Sequence, residues 1–287
     1  HYNGLGQSGN EWYYIVNARV NWNYTGLAQH NNQWFYIDRG RLKRKLDNRV
    51  KEASPYENVY TLAMRGLHDG GMRGNYSQKE KVQILSNAIN DQRDILKKYI
   101  DKPIEEIPQI FIPYKEAQDL YEAGLKVPDD VTLVWVDDNY GYIKRLSNPE
   151  EQKRSGHAGV YYHLSYLGAP HDYLWLNTTP PALMYEELKK AYDLGADRYW
   201  LLNVGDIKPM ELGVTTFFNM AYDLKKFSFD NINEYQTDLL CSIYGDKYRK
   251  TFQWMLDNYY RLAWSRKPEF MGWEREWDSN KNLERLG

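Results

Sequence analysis

Val131-Thr132-Leu133-Val134-Trp135-Val136 runs directly into Asp137-Asp138-Asn139-Tyr140. The first six residues are apolar or β-branched at every position, so neither face of the segment is written for water. A strand of that kind is buried on both sides, as a parallel strand covered by helices is. The polar string then falls at the carboxyl end of the strand, where α/β barrels collect their chemistry.

The same arrangement recurs on either side. Val59-Tyr60-Thr61-Leu62-Ala63-Met64 reads as a strand and leads into Arg65-Gly66-Leu67-His68-Asp69. Residues 107–112 read as the next, followed by Pro113-Tyr114-Lys115-Glu116. Residues 160–166 form a strand carrying His163 and Tyr166, residues 173–176 another, and residues 199–204 a last one ending in Gly205-Asp206. Helical signals lie between them. Ser77-Gln78-Lys79-Glu80 is a capping box ahead of Val82, Leu85, Ala88, Ile89 and Leu96 at helical spacing. Residues 116–124 read as a short helix with a glycine stop. Pro180-Pro181 opens a helix that closes at Leu194-Gly195, and residues 214–224 give another.

Strand–helix alternation with polar strand ends predicts an α/β fold, a TIM-type (β/α) barrel. About five or six strands are readable, against eight in a closed barrel. Either early strands are disguised in the first fifty residues or the chain holds part of a barrel, and the incomplete barrel is the expectation. From about residue 232 the pattern is helical, which predicts a helical subdomain packed through Trp254, Tyr259 and Trp264. The first fifty residues are less legible. Trp12, Trp22 and Trp34 sit among Asn, Gly and Gln, residues 42–50 read as helix, and the basic stretch 39–45 reads as a solvated helix face. The expected division is therefore 1–50, a barrel region 51–228 and a helical part 229–287.

Composition excludes several functions. The 287 residues carry 37 Lys plus Arg against 39 Asp plus Glu, a net −2, which argues against a nucleic-acid partner. No stretch approaches the ~20 apolar residues of a bilayer-spanning helix. The chain opens on His1-Tyr2-Asn3-Gly4, without the pattern of a signal peptide. A single cysteine, Cys241, excludes an intrachain disulfide framework and a Cys-rich metal site; its helical flanks suggest a small buried hydrophobe. Asp137-Asp138-Asn139 is the one string suggestive of an ion, no metal-ligand spacing is present, and the glycine-rich stretch 66–74 lacks the Lys-Ser/Thr of a phosphate loop. No metal or cofactor is expected. The 26 Tyr and 10 Trp suit stacking on sugar rings, and equally suit a large tyrosine-rich core.

Several strings, in unbroken order over roughly residues 42–275, resemble glycoside hydrolase family 115. They are Met64-Arg65-Gly66-Leu67-His68-Asp69-Gly70-Gly71-Met72, Pro113-Tyr114-Lys115-Glu116 and Trp135-Val136-Asp137-Asp138-Asn139-Tyr140-Gly141-Tyr142. Tyr161-Tyr162-His163-Leu164-Ser165-Tyr166, His171-Asp172-Tyr173-Leu174-Trp175 and Asn203-Val204-Gly205-Asp206-Ile207-Lys208-Pro209 continue the match. The resemblance implies an inverting xylan α-1,2-glucuronidase acting on glucuronic acid or its 4-O-methyl ether. It further implies a secreted or periplasmic enzyme, glucuronoxylan or its oligosaccharides as partner, and a homodimer among the possible assemblies. The alternative is a carbohydrate-binding remnant of such an enzyme without turnover.

A uronic acid brings a negative charge, so its pocket calls for a cation. Arg65 suits it, because a guanidinium grips a carboxylate through two parallel hydrogen bonds. The competing role is a salt bridge to Asp69. Asn139, His163 and Tyr166 would add neutral donors; His163 alone would read as a core histidine, and the family motif is what places it in the pocket. Inverting hydrolysis needs one carboxylic acid and one carboxylate ~6.5–9.5 Å apart. The resemblance favours Asp69, Glu116 and Asp137 for that work. Asp138 should face away from Asp137, and Asp206 serves either the site or its loop.

Overall fold

The computed structural model describes residues 2–9, 11–24, 26–31, 33–65, 70–72, 75–168, 172–174 and 176–267. Two compact units divide the chain, 1–133 and 134–287.

The first unit opens with a sheet that the sequence conceals. Its strands are β1 (Gly4–Ser8), β2 (Glu11–Val16), β3 (Arg19–Val20), β4 (Gly26–His30), β5 (Gln33–Asp38) and β6 (Arg41–Lys45). They run in the order β1-β2-β6-β5-β4, with β3 on β2, and every pairing is antiparallel. Leu5, Ala28, Phe35 and Ile37 form a small core under Trp12, Tyr14, Tyr24 and Leu42. Tyr14 and Tyr24 stack with ring centroids 4.0 Å apart. At the β5–β6 turn Gly40 has φ +72°, and a Cβ there would lie 2.7 Å from the Asn21 carbonyl oxygen. Only glycine fits that approach.

Two expectations are corrected here. Residues 39–45 are a turn and a strand, not a helix face, and the helix α1 (Leu46–Ala53) begins several residues later than expected. Neighbouring strands outweigh the local helical preference of a Lys/Arg-rich string, as tertiary pairing commonly does. These antiparallel strands form their own sheet, so they are not disguised early strands of a parallel barrel.

A parallel sheet follows, in the order β11-β10-β9-β8-β7. Within the first unit β7 (Tyr60–Thr61) pairs in parallel with β8 (Gln109–Phe111), and β8 with β9 (Thr132–Val136). The helices α2 (Gln78–Tyr99) and α3 (Glu116–Glu122) make the two crossovers. α2 starts where its capping box predicts: Ser77 Oγ accepts from the Glu80 amide, and the Ser77 amide donates to the Glu80 carboxylate. The Ser77 hydroxyl, donating to the Glu80 carboxylate at 2.7 Å, and then the Ser77 amide hold that carboxyl below its ordinary range. Their stabilisation is therefore complete above the usual carboxylate pKa and is lost as pH falls through the lowered value. Ser77→Ala should cost about 1 kcal/mol at neutral pH. An unchanged denaturation midpoint would show the cap to be idle.

α2 also buries Arg93, which holds Asp130 through two bonds of 2.8 and 3.1 Å and donates to Gln109 Oε1 at 3.0 Å. The guanidinium fork thus ties helix, strand β8 and the approach to β9 together, its charge compensated where water is excluded.

The second unit contains the end of β9, then β10 (Ala158–His163), α4 (Pro181–Asp193), β11 (Tyr199–Asn203), α5 (Ile207–Tyr222), α6 (Ile232–Tyr244) and α7 (Arg249–Ser265). β10 and β11 are parallel, with Tyr161 opposite Leu201 and His163 opposite Asn203. Trp135 is fully buried, its indole N–H donating to Ser147 Oγ at 2.9 Å while Arg145 lies 4.3 Å from the ring centroid. A buried indole needs such a partner. α4 has Pro181 in its first turn and Gly195, at φ +88°, just beyond its end, as expected.

Of the expected strand 173–176, Trp175 lies outside the described residues, and the described residues there form no strand. Tyr173 makes an isolated antiparallel bridge to Tyr166. α5 begins at Ile207, seven residues before the expected start at 214, with Asp206 as the cap position and no side-chain capping bond.

No strand appears among the described residues from 232 onward, and the rest of the expected helical part, 268–287, lies outside them. The packing is not as expected. Trp254 and Trp264 are largely exposed, and Tyr259 is 36 % exposed. Ile232, Cys241 and Ala263 are buried instead, beside a polar chain in which Asn177 donates to Tyr260 Oη, Tyr260 to Gln236, and Gln236 to Thr216. Helical spacing identifies a face but not its apolar neighbours, and here hydrogen bonds take the inner side. No described helix is long and apolar enough to cross a membrane.

Candidate functional site

Each unit carries one cluster of the residues singled out by sequence. In the first unit, Arg65 follows β7 and Glu116 opens α3. Arg65 Nε donates to Glu116 Oε1 at 2.6 Å and Nη2 to Oε2 at 3.2 Å. This is a bidentate pair. Both side chains are about a quarter exposed, 27 % and 29 %. The guanidinium also lies 5.8 Å from the Tyr114 ring, with Lys115 Nζ 5.0 Å from the same ring. Lys115 has φ +51° and ψ −124°, a conformation uncommon for any residue with a Cβ. That twist turns the chain from the strand exit into α3 and sets the direction of Glu116. Asp69, expected as Arg65's alternative partner and as a catalytic carboxylate, lies outside the described residues. Among the described residues, Glu116 is a carboxylate partner of Arg65.

In the second unit the centre is Asp137, 4 % exposed at the end of β9. Its Oδ1 lies 2.5 Å from His163 Nδ1 and accepts from the Asn139 amide at 3.3 Å. Its Oδ2 accepts from the Gly141 amide at 2.9 Å and the His163 amide at 3.3 Å. An oxygen acceptor among so many donors assigns the hydrogen to Nδ1 of His163. Asp137 thereby sets the tautomer and tilt of the imidazole. The turn that supplies these amides needs Gly141, whose φ is +94° and whose added Cβ would lie 2.8 Å from the Tyr162 hydroxyl. Burial pushes the Tyr162 hydroxyl well up, so it stays protonated and donates to the Gly141 carbonyl at 3.1 Å.

His163 is enclosed by aromatic rings. Tyr161 stacks on it at 4.7 Å and Tyr166 meets it edge-on at 5.8 Å. Asn203 donates to the Tyr161 hydroxyl at 2.7 Å. Tyr140 lies 6.1 Å from Tyr166 and 5.5 Å from Tyr173. Asn139, at φ +72°, offers its carbonyl to the Tyr173 hydroxyl. The unit thus brings together Asp137, Asn139, His163 and Tyr166, and adds Tyr140, Tyr161, Tyr173 and Asn203, which sequence reasoning did not select. The period of two along β10 puts Tyr161 on the face of His163 and was a usable signal. Asp138 is engaged apart from this cluster, with Lys144 at 2.7 Å and the amides of Tyr140 and Tyr142. Asp206 contributes its amide to the Leu174 carbonyl at 3.4 Å. Among the described residues no group of three or more His, Cys, Asp or Glu is arranged to hold a metal ion.

The model of glycosyl hydrolase family 115 matches residues 1–270. The chain belongs to glycoside hydrolase family 115. Among solved structures, this family 115 chain is similar to one described as a novel family GH115 4-O-methyl-alpha-glucuronidase, BtGH115A, with specificity for decorated arabinogalactans. The two are 45 % identical with a TM-score of 0.78, over 84 % of this chain and 34 % of that one. The chain therefore spans about a third of its structural relative. No curated protein matches it. The family match covers the antiparallel sheet, both clusters and the seven described α-helices.

Proposed function

We propose that this chain carries the catalytic region of an α-glucuronidase that removes glucuronic acid, or its 4-O-methyl ether, from a branched plant polysaccharide. The observation that carries the reading is the buried Asp137–His163 pair wrapped by tyrosines, in a chain of this family. Neutral donors and aromatic faces suit a sugar ring, and a family relative is a 4-O-methyl-alpha-glucuronidase.

In this reading Arg65, Asp69, Glu116, Asp137, Asn139, His163 and Tyr166 serve the reaction from the carboxyl ends of barrel strands. Residues 51–228 contribute that barrel and 229–287 its helical companion. Asp69 and Glu116 form the inverting acid–base pair. Asp137 acts through His163, whose Nδ1 it holds from a buried position. Arg65 answers the charge of the uronate. Secretion or export to the periplasm fits a polymeric substrate, and a homodimer fits the family resemblance.

Xylan with α-1,2-linked branches is the first polymer proposed. Decorated arabinogalactan is the second, favoured by the specificity of the 45 % identical relative. The test is to incubate the chain with oligosaccharides of both kinds and follow the released sugar by NMR. Release of β-configured uronic acid as the first product is expected from inversion of an α-link. An α-anomer appearing first would refute inversion. Binding without any release would replace the enzyme reading with a carbohydrate-binding one.

A further inference from the structure

Next to the His163 cluster, within the same unit, lies a cavity of about 520 Å³, inside the ~300–1,000 Å³ range of small-molecule sites. Two of its walls are aromatic. Tyr142 and Trp264 face each other with centroids 6.4 Å apart and planes inclined by 55°. Trp264 is 59 % exposed and Tyr142 39 %, a large aromatic surface left in water on the cavity rim. Polar groups lie between the rings. Lys267 Nζ donates to Thr178 Oγ1 at 2.6 Å and sits 4.3 Å from the Tyr173 ring. Arg266 adds a second cation, and no carboxylate belongs to the described lining.

Tyr140 joins the two places. It lines the cavity and also packs against Tyr166 and Tyr173 beside His163. A ligand held against Tyr140 in the cavity would therefore abut the rings that enclose His163.

We propose that this cavity is a second saccharide subsite, holding the polymer sugars adjacent to the uronic acid. The proposal rests on the glucuronidase reading above and names what lies beyond the cleaved branch. Pyranose rings present C–H faces to aromatic planes and hydroxyls to groups such as Thr178 and Tyr140. The interleaved polar groups disfavour an acyl chain, which would strand them without partners. Lys267 and Arg266 attract a glycan carrying further acidic branches, and the described lining of the cavity holds no carboxylate to repel it.

The test is NMR titration of the chain with three probes: 4-O-methylglucuronic acid, a 4-O-methylglucuronosyl xylotriose, and a glucuronosyl galactotriose. Trp264→Ala should weaken the better-bound oligosaccharide roughly tenfold, the scale of one lost aromatic contact, and leave the monosaccharide unchanged. Trp264→Phe should recover most of the loss. Trp264 is exposed, so melting temperatures of both variants should match the parent. Equal oligosaccharide affinity in Trp264→Ala would overturn the subsite while monosaccharide binding still supported the parent reading. Failure of the monosaccharide to bind, or to compete with the oligosaccharide, would overturn the parent reading itself and with it the neighbouring assignment.

Discussion

Arg65→Ala is expected to lower kcat/KM on a uronic acid substrate by on the order of a hundredfold, ~3 kcal/mol of transition-state binding. The structure makes this a contest between two roles for one guanidinium. Its Nε/Nη2 edge holds Glu116, and under the proposed function the same side chain answers the substrate carboxylate. The roles separate when the carboxylate is replaced by a neutral hydroxymethyl group. Charge recognition predicts that most of the loss disappears on the neutral analogue. If Arg65 serves only to orient Glu116, both substrates lose alike, and that result would remove it from the substrate. Arg65→Lys should be nearly as poor as alanine, since an ammonium cannot reproduce a two-point grip on either partner.

Asp137→Ala should destabilise the fold by several kcal/mol, on the order of 3 or more, because it leaves buried donors facing a void. The donors are the amides of Asn139, Gly141 and His163 and the imidazole Nδ1. Asp137→Asn is the more informative change. It preserves size and one acceptor but turns an amide nitrogen toward donors, favouring the other imidazole tautomer. Activity should fall ~100-fold or more with only a modest drop in melting temperature, as an Asp-to-Asn change beside a working histidine does elsewhere. A kcat on the parent level in the folded Asn variant would mean that neither Asp137 nor the tautomer it selects matters to turnover. Differential scanning calorimetry and steady-state kinetics on the same preparations make the distinction.

Much of the parallel α/β region was legible from local chemistry. A run such as residues 131–136 can only be a strand buried on both faces. Ser77 with Glu80 and Pro181 with Gly195 mark helix ends through bonds and backbone angles satisfied within a few residues. The amino-terminal sheet was not legible in this way. Its strands are short, its described core is four residues, and the antiparallel pairing that stabilises a string like Arg41–Lys45 comes from other strands. Trp254 and Trp264 show the same limit, since a spacing rule cannot say which side of a helix will find a neighbour.

For the candidate site, the sequence by itself supplied the inventory of candidates: Arg65, Asp69, Glu116, Asp137, Asn139, His163 and Tyr166, each read at or just beyond an expected strand end or in the loop that follows. Tertiary structure decided the pairing. Arg65 meets a carboxylate 51 residues away, and Asp137 meets a histidine 26 residues away. Residue types are written in the chain, whereas a carboxylate's partner depends on which strand exits lie within about 3 Å of one another. That distance is set by the register of the strands, which no local run of residues encodes.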